Sequence, residues 1–495
     1  MLELVWYGVV AAVSMLSLVR WRQALYAAVF LEAVRDPVRK LSDSETILIT
    51  LSGAGLWLLI SVVAVAAEWN EFARMFRRYR QLRAMLVALV VAIVPASLVS
   101  IQLYQGGYKL VLVGAVSYLA PIFGVGLGYL FAESEKTLDR LLTVYVATNA
   151  VLLVGVPLEF LGFDLPGLGG LQGAEWVRYH DDKIIDLIGG FYRSPDIMGL
   201  HASHVAMFSM LLMLRDGRRA KLPWALLATW AVVCLLLCGR RKMIVLPLVF
   251  AAAYLVIGLV RRTGRANGLI AYGLIAGLLA GAAVLGTAEE VESSEYVEYA
   301  GSTFTEGVGR VNDSVIRNSI GTMRQVGLIG GGLGTATQGR YYLNVETGRD
   351  ARGWQEDGVS RVIMEFGVPG AIMLVVAAAN FLLAMWAAVR LVGRRTGVQH
   401  YQIALVAVVL ANAASFVISH QQYSGDPASA LFAAMAAGMV LGLPRVAAKM
   451  DAPRRMQPPS EEIMIDSDAV ADEPLQAIVP HVTVEVPAAA MSESE

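Results

Sequence analysis

The chain has 495 residues, of which 56% are hydrophobic and only 16% charged, with a formal net charge of -1. Soluble domains carry about a quarter charged residues, mixed through the sequence; here long apolar runs alternate with short charged breaks, which excludes a soluble globular or disordered class. The near-zero net charge gives no footprint for a nucleic-acid partner, and none is expected.

Apolar runs of about 18 residues or more can cross a hydrocarbon layer of roughly 30 Å as helices. The sequence predicts an all-α polytopic membrane protein with about 12 transmembrane helices and a large periplasmic loop containing short helices. The spans fall near 3–20, 45–66, 84–103, 109–132, 139–158, 198–215, 221–238, 242–261, 267–287, 362–390, 400–419 and 426–444. The first run lacks a basic segment and a small-residue cleavage site, so it is expected as a retained span. Residues 1–445 form the transmembrane domain, with outer loops at about 159–197 and 288–361. Residues 446–495, rich in Pro, Ser, Ala and acids without apolar periodicity, are expected as a disordered cytoplasmic tail.

Basic short loops favour the cytoplasm. Arg74–Arg83, Glu133–Arg140, Asp216–Lys221, Arg261–Arg265 and Arg394–Arg395 lie on alternate connections, and the even span count puts both termini there. Two places break the rule. Residues 20–44 carry Arg20, Arg22, Arg35, Arg39 and Lys40, and their short apolar piece 24–34 is expected as an interfacial or re-entrant helix. Gly239-Arg240-Arg241-Lys242 sets three cations on the outer side between two spans. Charges at membrane depth are costly and either pair or mark a site.

Five stretches are candidates for chemistry. Trp176 to Lys183 and Gly189 to Asp196 mix aromatics, arginines and carboxylates, a set suited to a sugar with phosphates or to an ordinary surface helix. His201 and His204 stand three apart, but no third metal ligand is evident, so a polar lining is the reading and no metal is expected. Cys234 and Cys238 read as buried free thiols. Arg310, Arg317 and Arg324 recur every seven residues on an amphipathic stripe, followed by the glycine-rich Val326-Gly-Leu-Ile-Gly-Gly-Gly-Leu-Gly. That run has neither the Walker Lys-Ser pair nor a Rossmann context. Finally, Glu356 and Asp357 stand where the chain re-enters the membrane, placed either to act as a general base or to cap a helix.

The order of these features resembles the bacterial O-antigen ligase and polymerase family. CGRRKMIVLPLVF is similar to that family's T-S-R-G boundary, GRVNDSVIRNSIGTMRQ to its arginine-bearing loop helix, and VGLIGGGLGTATQGR to its P-L-x-G-x-G turn. MEFGVPG, Met364–Gly370, matches its E-x-G-x-x-G. The family's His-Asn pair falls on Glu356-Asp357, so the histidine associated with ligation is absent. The resemblance implies inverting glycosyl transfer at the outer face of the bacterial inner membrane from an undecaprenyl-diphosphate-linked glycan, polymerase favoured over ligase. An acceptor glycan or lipid, the bilayer and other polysaccharide assembly proteins would be its partners, with no cofactor. Arg240, Arg241 and Arg310, with Arg193 next, would hold the diphosphate; Glu356 or Asp357 would serve the acceptor. A flippase of lipid-linked sugars and a scaffold subunit are the competing expectations.

Overall fold

The computed structural model describes residues 1–42, 47–171, 176–180, 183–215, 221–261, 309, 312–343, 345, 355–392 and 398–456. The expected span 267–287, Arg310 and most of the expected tail lie outside the described residues. Residues Met1–Met450 form one compact unit, and Asp451–Glu495 a second, of which only the helical residues 451–456 are described.

The first unit is a helical bundle. Its long helices are α1 (Leu2–Lys40), α2 (Ile47–Ala67), α4 (Arg80–Leu103), α5 (Gly107–Phe131), α6 (Glu135–Leu152), α8 (Pro195–Met213), α10 (Arg241–Val260), α12 (Gly358–Leu391), α13 (Val398–Ile418) and α15 (Pro427–Met450). Shorter helices are α3 (Trp69–Arg78), α7 (Gly155–Phe160), α9 (Leu222–Leu237), α11 (Asn318–Val326) and α14 (Gln421–Ser424). One two-stranded antiparallel hairpin, β1 (Val177–His180) and β2 (Lys183–Asp186), lies between α7 and α8. Ten of the described helices are long and apolar enough to cross a membrane. The chain is a multi-pass, all-helical membrane protein.

Small residues bring the helices together. A Cβ on Gly124 would collide with the Leu431 carbonyl, and one on Gly438 with the Val125 carbonyl, so α5 and α15 meet backbone to backbone. This is how helices associate in lipid, where there is no hydrophobic drive between them. α8 sits at the centre and is buried along nearly its whole length. α12 packs along α4, α10 along α13, and α1 along α2.

The re-entrant piece expected at 24–34 is instead part of a full helical arm. Backbone geometry breaks at Arg20 (φ -140°, ψ 65°) inside α1. The Trp6 indole donates to Ser52 and Arg22 donates to Glu68, so the first arm runs parallel to α2. Arg39 donates to Thr50, so the second arm runs antiparallel to it. The chain therefore reverses at Arg20. Arg20 and Arg22 sit with the other basic connections, and Arg35, Arg39 and Lys40 sit at the other end. The start of α1 consequently lies at the bundle end opposite Met450, whereas an even span count places both on one side.

The two ends differ in chemistry. At one end, called here the α3 end, Arg22 bridges Glu68 and Glu133, Arg445 pairs with Glu71, and Arg215 with Asp139. The other, the loop end, gathers the described parts of the α1–α2 turn, of 160–194 and of 309–357, with the α9–α10 turn and residues 419–426.

Candidate functional site

Two short segments organise the loop end. The first is Arg193-Ser-Pro-Asp196, the entry to α8. Ser194 caps the helix by accepting from the Ile197 amide and Pro195 occupies its first turn, so Asp196 is fixed at the positive helix N-terminus. The second is Ser419 to Asp426, between α13 and α15.

Asp426 is fully buried. Arg35 forks onto it, Nη1 to Oδ1 at 3.2 Å and Nη2 to Oδ2 at 2.8 Å. Arg193 adds a contact to Oδ2 at 3.3 Å and donates to the Gly425 carbonyl. Asp36 accepts from the Arg193 amide and from Arg35 Nε, and Glu32 pairs with Arg35 at 2.6 Å. Burial pushes the Asp426 carboxyl up, but Arg35 and Arg193 together hold it below the usual carboxylate range. Arg193, expected as a diphosphate ligand, is thus bound into a carboxylate network that ties α1 to α15.

A second cluster adjoins it. Arg240 pairs with Asp196 at 3.3 Å and its guanidinium lies over Trp176 at 5.9 Å. Lys242 reaches Asp196 at 3.0 Å, Glu356 at 3.1 Å and the Ser419 hydroxyl at 2.9 Å. The 239–242 cluster is therefore on the loop end, and Lys242 joins it to the end of the long loop. Arg241 is buried in the first turn of α10. The Glu356 side chain is 51% exposed, so it can exchange partners. Asp357 is fully buried and caps α12, its Oδ1 accepting from the Ser360 amide at 2.7 Å. Burial raises its carboxyl above the usual value, partly offset by the Ser360 contact. Of the two carboxylates expected to compete for the base role, Asp357 is the helix cap and Glu356 is the one at the surface.

His420 is the residue the sequence reading missed. Its Nε2 faces the Gln355 carbonyl at 2.7 Å and must donate there, so Nδ1 accepts from the Ser424 hydroxyl at 2.8 Å. Its amide donates to the Glu356 carbonyl. Burial, reinforced by the charge of Arg361, depresses the imidazole to about 3. It is a neutral brace that sets the backbone of Gln355-Glu356. No spacing in the sequence links 420 to 355; the signal was only a cluster of polar residues, SHQQYSGD, following an apolar span.

Other expectations resolve structurally. Cys234 and Cys238 are free and buried. His201 Nδ1 meets the Tyr145 hydroxyl at 2.7 Å and His204 Nε2 meets Asn412 Oδ1 at 3.2 Å, both inside the bundle. Arg317 and Arg324 are exposed, and Arg317 pairs with Asp313 on its own turn. The glycine run is a packing device: Gly330 has φ +85°, and a Cβ there would strike the amide of Gly367, the kink residue of α12. Glu365 clips the run in place, accepting from the Ala336 amide at 3.0 Å and the Thr337 hydroxyl at 2.9 Å. MEFGVPG is thus the face of α12 that receives the glycine loop.

Comparison with models of known families finds no match for this chain, and comparison with curated proteins finds none either.

Proposed function

We propose that the protein is an inverting membrane glycosyltransferase that uses a polyprenyl-diphosphate-linked glycan, extending or transferring a cell-surface polysaccharide at the loop end. The positive-inside rule then sets the α3 end, with its arginines, toward the cytoplasm and the loop end outward. The observation that carries the reading is the Arg240–Asp196–Lys242–Glu356 chain. It sets two cations beside one exchangeable carboxylate where an outer loop meets the bundle, in the order the O-antigen ligase and polymerase resemblance implies.

The chemistry needs positive charge where the leaving diphosphate develops its own, and a group that takes the acceptor proton. An acceptor hydroxyl forms the new C–O bond at the anomeric carbon, from the face opposite the diphosphate. The old C–O bond breaks, and its electron pair leaves with the diphosphate. Glu356 takes the hydroxyl proton. The cluster is charge-compensated at rest, so a diphosphate would bind Lys242 and Arg240 by displacing Glu356, freeing that carboxylate for the acceptor. Arg310 remains a proposed further cation.

The test uses purified full-length protein with lipid-linked repeat units, scoring glycan length and released diphosphate lipid. Arg240→Ala and Lys242→Ala should each lower the rate about 10²-fold or more, the scale of a lost charge-stabilising donor. Glu356→Gln should cost about 10²–10⁴-fold. No product from the wild type would sink the enzyme reading; lipid-linked glycan crossing the bilayer without bond making would replace it with a flippase.

A further inference from the structure

The α3 end carries a feature that the loop-end chemistry leaves unused. The sequence of α3 is WNEFARMFRR. Phe72, Met75, Phe76 and Tyr79 recur at the spacing of one helix face, and Phe72 packs against α5 at Gly126. Arg74, Arg77 and Arg78 lie outside that face and are exposed, as are Arg80 and Arg83 at the start of α4. A short helix of this kind lies in the interface of a bilayer with its apolar face inward. The acids at this end are already taken: Glu68 and Glu133 by Arg22, and Glu71 by Arg74 and Arg445. Among the described residues, Arg77, Arg80 and Arg83 form no ion pair, and Lys449 is a further exposed cation at this end.

The apolar faces of α3 and α4 also line a cavity of about 430 Å³. Met75 and Phe76 of α3 and Leu82 of α4 line one end of it; α5, α12, α13 and α15 form the rest of the wall, up to Arg361 and Tyr423 at the other. Its size falls within the range of pockets that hold small apolar ligands, about 300–1,000 Å³. The lining is almost wholly carbon. Of the polar groups in the wall, Arg361 binds Ser117 at 2.7 Å, and Asn412 accepts from the Tyr423 hydroxyl at 2.9 Å. The Tyr118 hydroxyl and Arg361 Nε lack a hydrogen-bond partner among the described residues, and Arg361 Nε lies 3.8 Å from the Glu365 carboxylate. The charge of Arg361 is thus compensated by Glu365, whereas the guanidinium groups of Arg77, Arg80 and Arg83 at the α3 end are uncommitted.

We propose that this cavity holds an acyl chain of an anionic phospholipid whose phosphate rests on Arg77, Arg80 and Arg83. Charge and shape select the same occupant: a chain for the carbon-lined space, a negative headgroup for the arginines next in sequence to its lining residues Phe76 and Leu82. The site is independent of the glycosyl-transfer reading and stands or falls separately from it.

The experiment takes full-length protein, delipidated in detergent, and counts bound lipid by native mass spectrometry. The probes are phosphatidylglycerol and phosphatidylcholine with identical acyl chains. One phosphatidylglycerol should be retained with about tenfold preference or more, given roughly fivefold per basic residue near an anionic surface. The triple change Arg77→Gln, Arg80→Gln, Arg83→Gln should erase the preference, and the corresponding triple change to Lys should keep it. Ala378→Phe, which fills the cavity from an exposed position of α12, should lower retention of both lipids. Equal retention of the two lipids by the wild type, or an unchanged preference in the Gln triple variant, overturns the proposal. So does displacement by undecaprenyl phosphate that ignores the arginine changes.

Discussion

Asp426 and His420 are six residues apart in one connecting segment and should fail under opposite chemistry. Asp426 is an ion whose burial is tolerable only because Arg35 forks onto it. Removing one partner leaves the other charged and dry, at a cost of about 3–5 kcal/mol. Asp426→Asn should lower the thermal midpoint sharply, and pairing it with Arg35→Leu should recover part of the loss. His420 is the reverse case, a base kept neutral by burial. Its folded value of about 3 lies below the ordinary 6.5, so the unfolded chain binds the extra proton first. The stability it contributes is complete above pH 6.5 and is lost as pH falls from there toward about 3, by up to about 1.4 kcal/mol per pH unit. His420→Gln should remove one proton's worth of that slope from a pH series of melting curves. An identical slope in wild type and variant would show that the imidazole is accessible to solvent protons in the folded state.

α12 shows how much of an element can be read before its partners are known. Its apolar run announced a span, and its acidic start allowed a cap, which Asp357 proves to be. Its bend was not legible: Gly367 takes φ +63° because the Leu328–Gly330 backbone lies where a side chain would go. Gly367→Ala should cost at least about 1–3 kcal/mol from the left-handed backbone alone and loosen the glycine loop, which limited proteolysis between 327 and 343 would detect. Thr337, clipped by Glu365, also meets Arg361 at 3.1 Å, so loosening should spread to the cavity's upper end. The same distinction separates the site residues that were legible from those that were not. Arg240 and Glu356 stood out because each breaks a local pattern, a cation between spans and a carboxylate at a membrane entry. Arg35 stood out as an anomaly too, but its meaning is Asp426, 391 positions later in the chain, and no local period encodes that pairing. Arg193 has the composition of a phosphate ligand and the geometry of a strut. Only the packing of α1 against the entry to α8 distinguishes the two.

The whole bundle turns on what happens at Arg20. A straight 39-residue α1 would span about 58 Å at 1.5 Å per residue, far beyond one membrane thickness. Reversal there instead gives two antiparallel arms, which accounts for both sets of charges in residues 20–44. The basic pair at 20 and 22 joins the other arginines of the α3 end, and Arg35, Arg39 and Lys40 enter the loop end. It follows that Glu3 and Leu41 lie at one end of the bundle and Lys449 at the other. Single cysteines at these three positions, probed with an impermeant maleimide in intact and inverted vesicles, should label Glu3→Cys and Leu41→Cys from the same side and Lys449→Cys from the opposite one. The two native thiols should stay silent, since both are buried. Labelling of Glu3→Cys together with Lys449→Cys would mean that α1 does not reverse. Arg35 would then lose its route to Asp426, and with it the network that ties α1 to the proposed catalytic end.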